Sequence, residues 1–126
     1  MSIECPFCVL PPERIVARNE LALVARDGFP VSPGHLLIIP KRHVGSFFET
    51  KGEERASLLS LIDEAKLAVD AEFHPDGYNI GINDRPAAGQ TVPHLHIHLI
   101  PRYAGDSSDP RGGVRWVLPA KAKYWP

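Results

Sequence analysis

At 126 residues the chain fits one domain with a core that needs no disulfide, and its 14 basic and 15 acidic side chains leave a net charge of −1. That balance excludes the global basic field used for nonspecific binding to nucleic acid or a membrane surface, so an anionic ligand must be held locally. No basic run followed by an apolar stretch opens the sequence, and no apolar run is long enough to span a bilayer. The expected setting is the cytoplasm, with no membrane and no specific nucleic acid as partner.

The first chemical feature is Cys5-Pro6-Phe7-Cys8, which places two thiols in one tight turn. In a reducing compartment they stay reduced, which leaves a redox pair, half of a zinc site, or two small apolar residues. A redox pair of the thioredoxin type follows a strand and opens a helix, whereas Pro11-Pro12 follows here and disfavours that reading. Two short aliphatic runs come next, at 21–25 and 35–39, with Asp27-Gly28-Phe29-Pro30 and Ser32-Pro33-Gly34 supplying turn chemistry between them. They predict two adjacent antiparallel strands, followed by a solvated turn at Lys41 and Arg42. Thr50 and Glu53 have capping-box spacing, and Leu58, Leu59, Ile62, Ala65, Val69 and Phe73 then recur at helical intervals until His74-Pro75. The spacing predicts a helix over 51–73, with His74 an exposed residue at its end. A strand over 78–83, a loop over 84–93 and a strand carrying His94, His96 and His98 complete an α+β pattern, an antiparallel sheet carrying a helix.

Strand periodicity puts the three imidazoles on one face and Leu95, Ile97 and Leu99 on the other. A core strand gains nothing from three titratable rings, because each ring nitrogen taken out of water needs a partner. The row therefore reads as chemical. One metal ion cannot easily take all three, since first and third residues of such a row lie about 13 Å apart on a strand. The loop before it is about twice the usual hairpin length, and Ala87-Ala88-Gly89-Gln90-Thr91 offers small side chains and backbone N–H groups that suit an anion.

Residues 89–102, Gly-Gln-Thr-Val-Pro-His-Leu-His-Ile-His-Leu-Ile-Pro-Arg, resemble the histidine triad signature of the HIT nucleotide hydrolases and transferases, and residues 27–43 look like that family's other hallmark. The resemblance covers roughly 5–102, leaves the tail 103–126 poorly covered, and is closest to the fragile-histidine-triad-like dinucleoside polyphosphate hydrolases. It implies a HIT-like antiparallel sheet of about five strands with one long and one short helix, in a homodimer. It further implies a purine nucleotide substrate, a phosphoanhydride or phosphoramidate attacked at the α-phosphorus by His96 to give a nucleotidyl-histidine. Water would then release a nucleoside monophosphate. By the same resemblance His98 contacts the phosphate and assists the leaving group, Asn83, Gln90 and Thr91 supply phosphoryl donors, Asp27 binds the ribose, and His35 supports the triad from behind. Zinc-bearing relatives imply a structural zinc on Cys5, Cys8, His43 and His94, while metal-free relatives give the first triad histidine a hydrogen-bonding role instead. No organic cofactor is implied. The alternative to an enzyme is a nucleotide-binding module with little turnover. Asp109 to Trp116 reads either as a packed tail or as a segment closing over the leaving-group side.

Overall fold

The computed structural model describes residues 4–126. Its strands are β1 (Ile15–Arg18), β2 (Ala22–Arg26), β3 (Leu36–Pro40), β4 (Gly77–Gly81) and β5 (Ile97–Arg102), and its one long helix is α1 (Gly52–Phe73). They form a single antiparallel sheet in the order β1-β2-β3-β5-β4. The fold is therefore α+β, with the expected adjacent pair realised as β2 and β3. β1 completes the five strands, but its four half-exposed residues and its irregular register against β2 carry too weak an alternation to stand out in the sequence.

All five residues of β3 are buried because both of its faces are covered. Leu36 and Ile38 face α1 together with Val24, Ile97 and Leu99, whereas Leu37 and Ile39 face the opposite way, with Ala25, onto Phe7 and Leu10 of the N-terminal segment. The helix contributes Leu58, Leu61, Ala65 and Val69, a three-and-four spacing that forms one apolar stripe. This corrects the expected seam, because Leu59 is 62% exposed and Phe73 lies exposed at the helix end, while Leu61 is fully buried. Burial follows the stripe centred on Leu58 and Leu61, and Leu59 lies a quarter turn or more away from it.

The start of α1 also differs from expectation. Thr50 closes a 3-10 turn by donating to the carbonyl of Phe47, and the box is made one residue later, where the backbone N–H of Lys51 donates to Glu54 at 2.8 Å. Arg42, expected in a solvated turn, instead donates to both oxygens of Glu54 at 2.7 and 3.0 Å and to the carbonyl of Glu49. A carboxylate that is only 3% exposed needs such a partner, and the pairing ties the end of β3 to the first turn of the helix. The short helix implied by the resemblance is a 3-10 turn at Phe47–Glu49, too brief for α-helical bonding and capped by the hydroxyl of Ser46. At the other end His74 takes the left-handed conformation, φ 52° and ψ 52°, and Pro75 prevents continuation. Gly34 has φ +88°, and a Cβ there would lie 2.9 Å from the ring of Phe73, so only glycine lets the turn before β3 close over the helix end. No helix among the described residues is long and apolar enough to cross a membrane.

Glu54 provides a test of this framework. Its carboxyl is held at about 2 against an ordinary 4.5, first by the hydrogen bond from Arg42. A depressed carboxyl contributes stability that is complete above its unfolded value and is lost as pH falls through the folded one. The urea midpoint is expected to decline between pH 4.5 and about 2, and Glu54→Gln is expected to flatten that decline. An unchanged acid profile in the variant would show that the pair contributes nothing.

Candidate active site

The histidine row is not one pleated face. β5 begins only at Ile97, so His98 alone of the three lies in a strand. The backbone before it bends, with the N–H of His94 donating to Val92 and that of Leu95 donating to Val44 at 2.7 Å. Leu95, Ile97 and Leu99 nevertheless remain buried on the helix side. Freed from a common face, the three rings meet three different environments.

His94 is fully buried. Its Nε2 lies 2.9 Å from the carbonyl of Pro40, which can only accept, so Nε2 carries the proton and Nδ1 presents a lone pair. That lone pair is 3.3 Å from Cys5 Sγ, 3.5 Å from Cys8 Sγ and 3.2 Å from His43 Nδ1. His43 Nδ1 lies in turn 3.3 Å from Cys8 Sγ. One ligand atom from each of these four residues falls within 4.8 Å of every other. A tetrahedral zinc with two sulfur and two nitrogen ligands spaces its ligand atoms about 3.3–3.8 Å apart, so this donor set fits such an ion. The turn through Cys5–Cys8, the residue after Arg42 and the first triad histidine are thus brought together from three parts of the sequence.

His96 has the opposite tautomer. Its Nδ1 lies 2.9 Å from the carbonyl of His94 and must donate to it, which leaves the lone pair on Nε2. Its ring is held between the edges of Phe7 at 4.9 Å and His98 at 5.2 Å between centroids. It opens on a cleft of about 430 Å3 whose walls include Phe7, Arg14, Asp27, Asn83, Thr91 and His98.

The state of His98 is set two residues away in space. The N–H of Val31 donates to His35 Nδ1 at 3.1 Å, so neutral His35 carries its proton on Nε2. That proton points at His98 Nδ1, 3.0 Å away, and obliges His98 to accept there and to carry its own proton on Nε2. Burial pushes the imidazoles of His35, His94 and His98 below their ordinary value, which keeps all three neutral at pH 7. The Oδ2 of Asp27 stands 3.3 Å from His35 Nε2 and 3.8 Å from His98 Nδ1, a second group with the spacing of metal ligands. A metal on His35 Nε2 would need both ring nitrogens of that residue deprotonated, because the Val31 amide already claims Nδ1. The trio is a hydrogen-bonded chain.

Of the remaining sequence-derived candidates, Asn83 and Thr91 line the cleft, and Asp27 lines it while its Oδ1 accepts from the N–H of Phe29 at 2.7 Å. Gln90 is turned away from it. Its amide accepts from Arg85 N–H at 2.7 Å and donates to the carbonyls of Gly45 and Val92, which clamps the loop instead of arming it. The same clamp holds Arg85 at φ +79°, an unusual conformation for a residue with a side chain. Sequence reasoning missed Phe7 and Arg14 in the cleft wall. Phe7 carries a signal in its place between the two cysteines, whereas nothing local marks Arg14, whose guanidinium donates to the carbonyl of Arg26.

The profile of the HIT domain matches residues 11–105. Among curated proteins, the bis(5'-nucleosyl)-tetraphosphatase [asymmetrical] of Schizosaccharomyces pombe is 39% identical over 76% of this chain and 53% of its own. The AP-4-A phosphorylase of Mycobacterium tuberculosis is 33% identical over 75% of this chain and 49% of its own. The chain thus spans about half the length of these two relatives. Among solved structures, a Zn-bound histidine triad family protein from Mycobacterium smegmatis superposes with a TM-score of 0.75 at 35% identity, covering 83% of this chain and 79% of that one.

The tautomers can be read directly from two-bond proton–nitrogen correlation spectra of protein labelled with nitrogen-15 in its imidazoles. His94 and His98 are expected as Nε2–H forms and His96 as the Nδ1–H form. A shared tautomer for His96 and His98 would break the scheme.

Proposed function

The chain belongs to the HIT domain family, and from that premise we propose that it is a nucleotide hydrolase working through a nucleotidyl-His96 intermediate. The observation that carries the proposal is the pairing of partners at the cleft: His96 Nδ1 faces the carbonyl of His94 and must donate to it, so a neutral His96 ring keeps its lone pair on Nε2, while His98 Nδ1 accepts from His35 and leaves the proton of His98 on Nε2. The first group can attack phosphorus, and the second can donate a hydrogen bond to a phosphoryl oxygen or to the departing group. His96 Nε2 would form a bond to the α-phosphorus as the bond to the leaving group breaks. Water would then attack the same phosphorus, break the phosphorus–nitrogen bond and give a nucleoside monophosphate with His96 restored. Asn83, Thr91 and nearby backbone N–H groups would stabilise the phosphoryl charge, and Gln90 would act by holding their loop. Asp27 keeps a free lone pair on each oxygen for ribose hydroxyls, while His35 orients His98.

The names of the two curated relatives make a dinucleoside tetraphosphate the first substrate to try, beside adenosine phosphoramidate. Nucleoside monophosphate is the expected product, and tight nucleotide binding with no product from either would leave the low-turnover binding module instead. His96→Ala is expected to lower turnover by about a thousandfold or more while nucleotide binding persists. Retained turnover would mean that another group is the nucleophile.

Cys5, Cys8, His43 and His94 would hold a structural zinc, which would fasten the N-terminal turn to the first triad histidine and stand outside the transfer itself. We also take the working unit to be a cytoplasmic homodimer. Native mass spectrometry of the purified protein is expected to give two protomers with one zinc each, and Cys5→Ser is expected to lose the metal. A zinc-free monomer would remove both readings.

A further inference from the structure

The loop that brings Asn83 and Thr91 to the cleft is tied at both ends to one neighbouring strap, residues 45–47. At its far end Gln90 donates to the carbonyl of Gly45 at 2.9 Å. At its near end Asp84 accepts from the N–H of Phe47 at 2.8 Å and from the hydroxyl of Ser46 at 3.0 and 3.1 Å. Ser46 is 1% exposed and its oxygen accepts in turn from the N–H of Phe48, so its one proton is left for Asp84.

Between the two anchors stands Arg85, at φ +79° and ψ 158°, a region of backbone space that is essentially glycine's own. Its main chain is the knot of the loop. The carbonyl of Arg85 accepts from the N–H of Ala88 at 3.0 Å and that of Gln90 at 3.2 Å, and its own N–H donates to the Gln90 side chain at 2.7 Å. Its side chain does not explain the conformation. The guanidinium reaches Glu49 at 3.2 Å and Asp84 at 4.0 Å from a side chain 63% exposed, where ion pairs contribute little. A residue with a Cβ keeps such angles only where its surroundings over-determine them, and here those surroundings are Asp84 on one side and Gln90 on the other.

We infer that Asp84 is a positioning residue for the reaction: by fixing the start of the loop to Ser46 and Phe47 it holds Arg85 in its unfavourable conformation, and so holds Asn83 and Thr91 where the phosphoryl group is met. The inference rests on the nucleotidyl-transfer reading above and adds to it what keeps the donors in place. Asp84 is not among the residues that line the cleft, and its oxygens are turned to the strap. Preorganised donors act on the charge that develops during transfer, so a loosened loop lowers turnover more than substrate affinity.

The test measures kcat and KM on diadenosine tetraphosphate, together with hydrogen exchange of the Ala88 and Gln90 amides that are bonded to the Arg85 carbonyl. Asp84→Ala is expected to lower kcat about tenfold with KM changed by less than about twofold, and to speed both exchanges. Asp84→Asn keeps an oxygen for the Phe47 N–H and is expected to retain most of the turnover. Adding Arg85→Gly to Asp84→Ala is expected to restore kcat to within about threefold of the unaltered protein and to slow both exchanges again, because glycine meets φ +79° without strain. A double variant as impaired as the single one would overturn the inference, since a merely structural loss is not relieved by a glycine. So would an unchanged kcat in Asp84→Ala, or a loss that Asp84→Asn does not relieve, which would assign the effect to charge. Should Asp84→Ala fail to fold, Ser46→Ala removes the hydroxyl anchor and is read in the same way, alone and with Arg85→Gly. Failure of the unaltered protein to release monophosphate would strike the transfer reading instead, and the exchange rates of Asp84→Ala and its double variant would still decide whether Asp84 holds the loop.

Discussion

A backbone N–H only donates and a backbone carbonyl only accepts, and the protonation of the rings in the site follows from that constraint. The carbonyl of Pro40 fixes His94, the carbonyl of His94 fixes His96, and the amide of Val31 fixes His35 and through it His98. These polarities do not titrate, so the pattern does not depend on a fine balance of charges among neighbouring residues. Burial reinforces it by keeping His35, His94 and His98 neutral. Three chemically identical residues thereby present different atoms to their surroundings: a lone pair toward the cysteines from His94, a carbonyl-anchored Nδ1 on His96, and on His98 an Nδ1 that accepts from His35.

The sheet supplies the backbone groups in the right places. β3 and β5 pair so that Leu37 lies opposite His98, which puts His35, just ahead of β3, within reach of the ring it supports. The end of the same strand supplies Pro40 to His94, and the next residues carry Arg42 into its pairing with Glu54 and His43 into the sulfur–nitrogen cluster. A helix that buries Leu58, Leu61, Ala65 and Val69 on one side of β3 and an N-terminal turn that packs Phe7 on the other thus clamp one strand. Each end of that strand serves a different histidine. The sulfur–nitrogen cluster and the cleft are linked through His94, whose ring faces the cysteines while its carbonyl holds His96.

Much of this framework was legible from local pattern. The β2–β3 pair, α1 and the alternation of Leu95, Ile97 and Leu99 follow from the aliphatic runs, turn residues and helical spacing, which record burial directly. The errors fall where several neighbours compete for one residue. Thr50 with Glu53 has the spacing of a cap, but Glu54 wins because Arg42 reaches it as well. Leu59 and Leu61 are equally apolar, and only the direction of the sheet decides which is buried. Gln90 stands beside the triad in sequence yet faces the carbonyl of Gly45, and Arg14 stands far from it in sequence yet walls the cleft.

The sequence by itself determined the residue types, their alternation and the positions where turns form, because these depend on the chemistry of individual residues and on periods of two and 3.6 residues. It marked six histidines and two cysteines as the chemical inventory. Only the tertiary structure decided which nitrogen of His35, His94, His96 and His98 is protonated and what each lone pair faces. Several deciding partners lie far apart in sequence, Cys5 and His94 being 89 residues apart and Pro40 and His94 54 apart. A tautomer is settled by the one group that a ring nitrogen touches, and no local period encodes that contact.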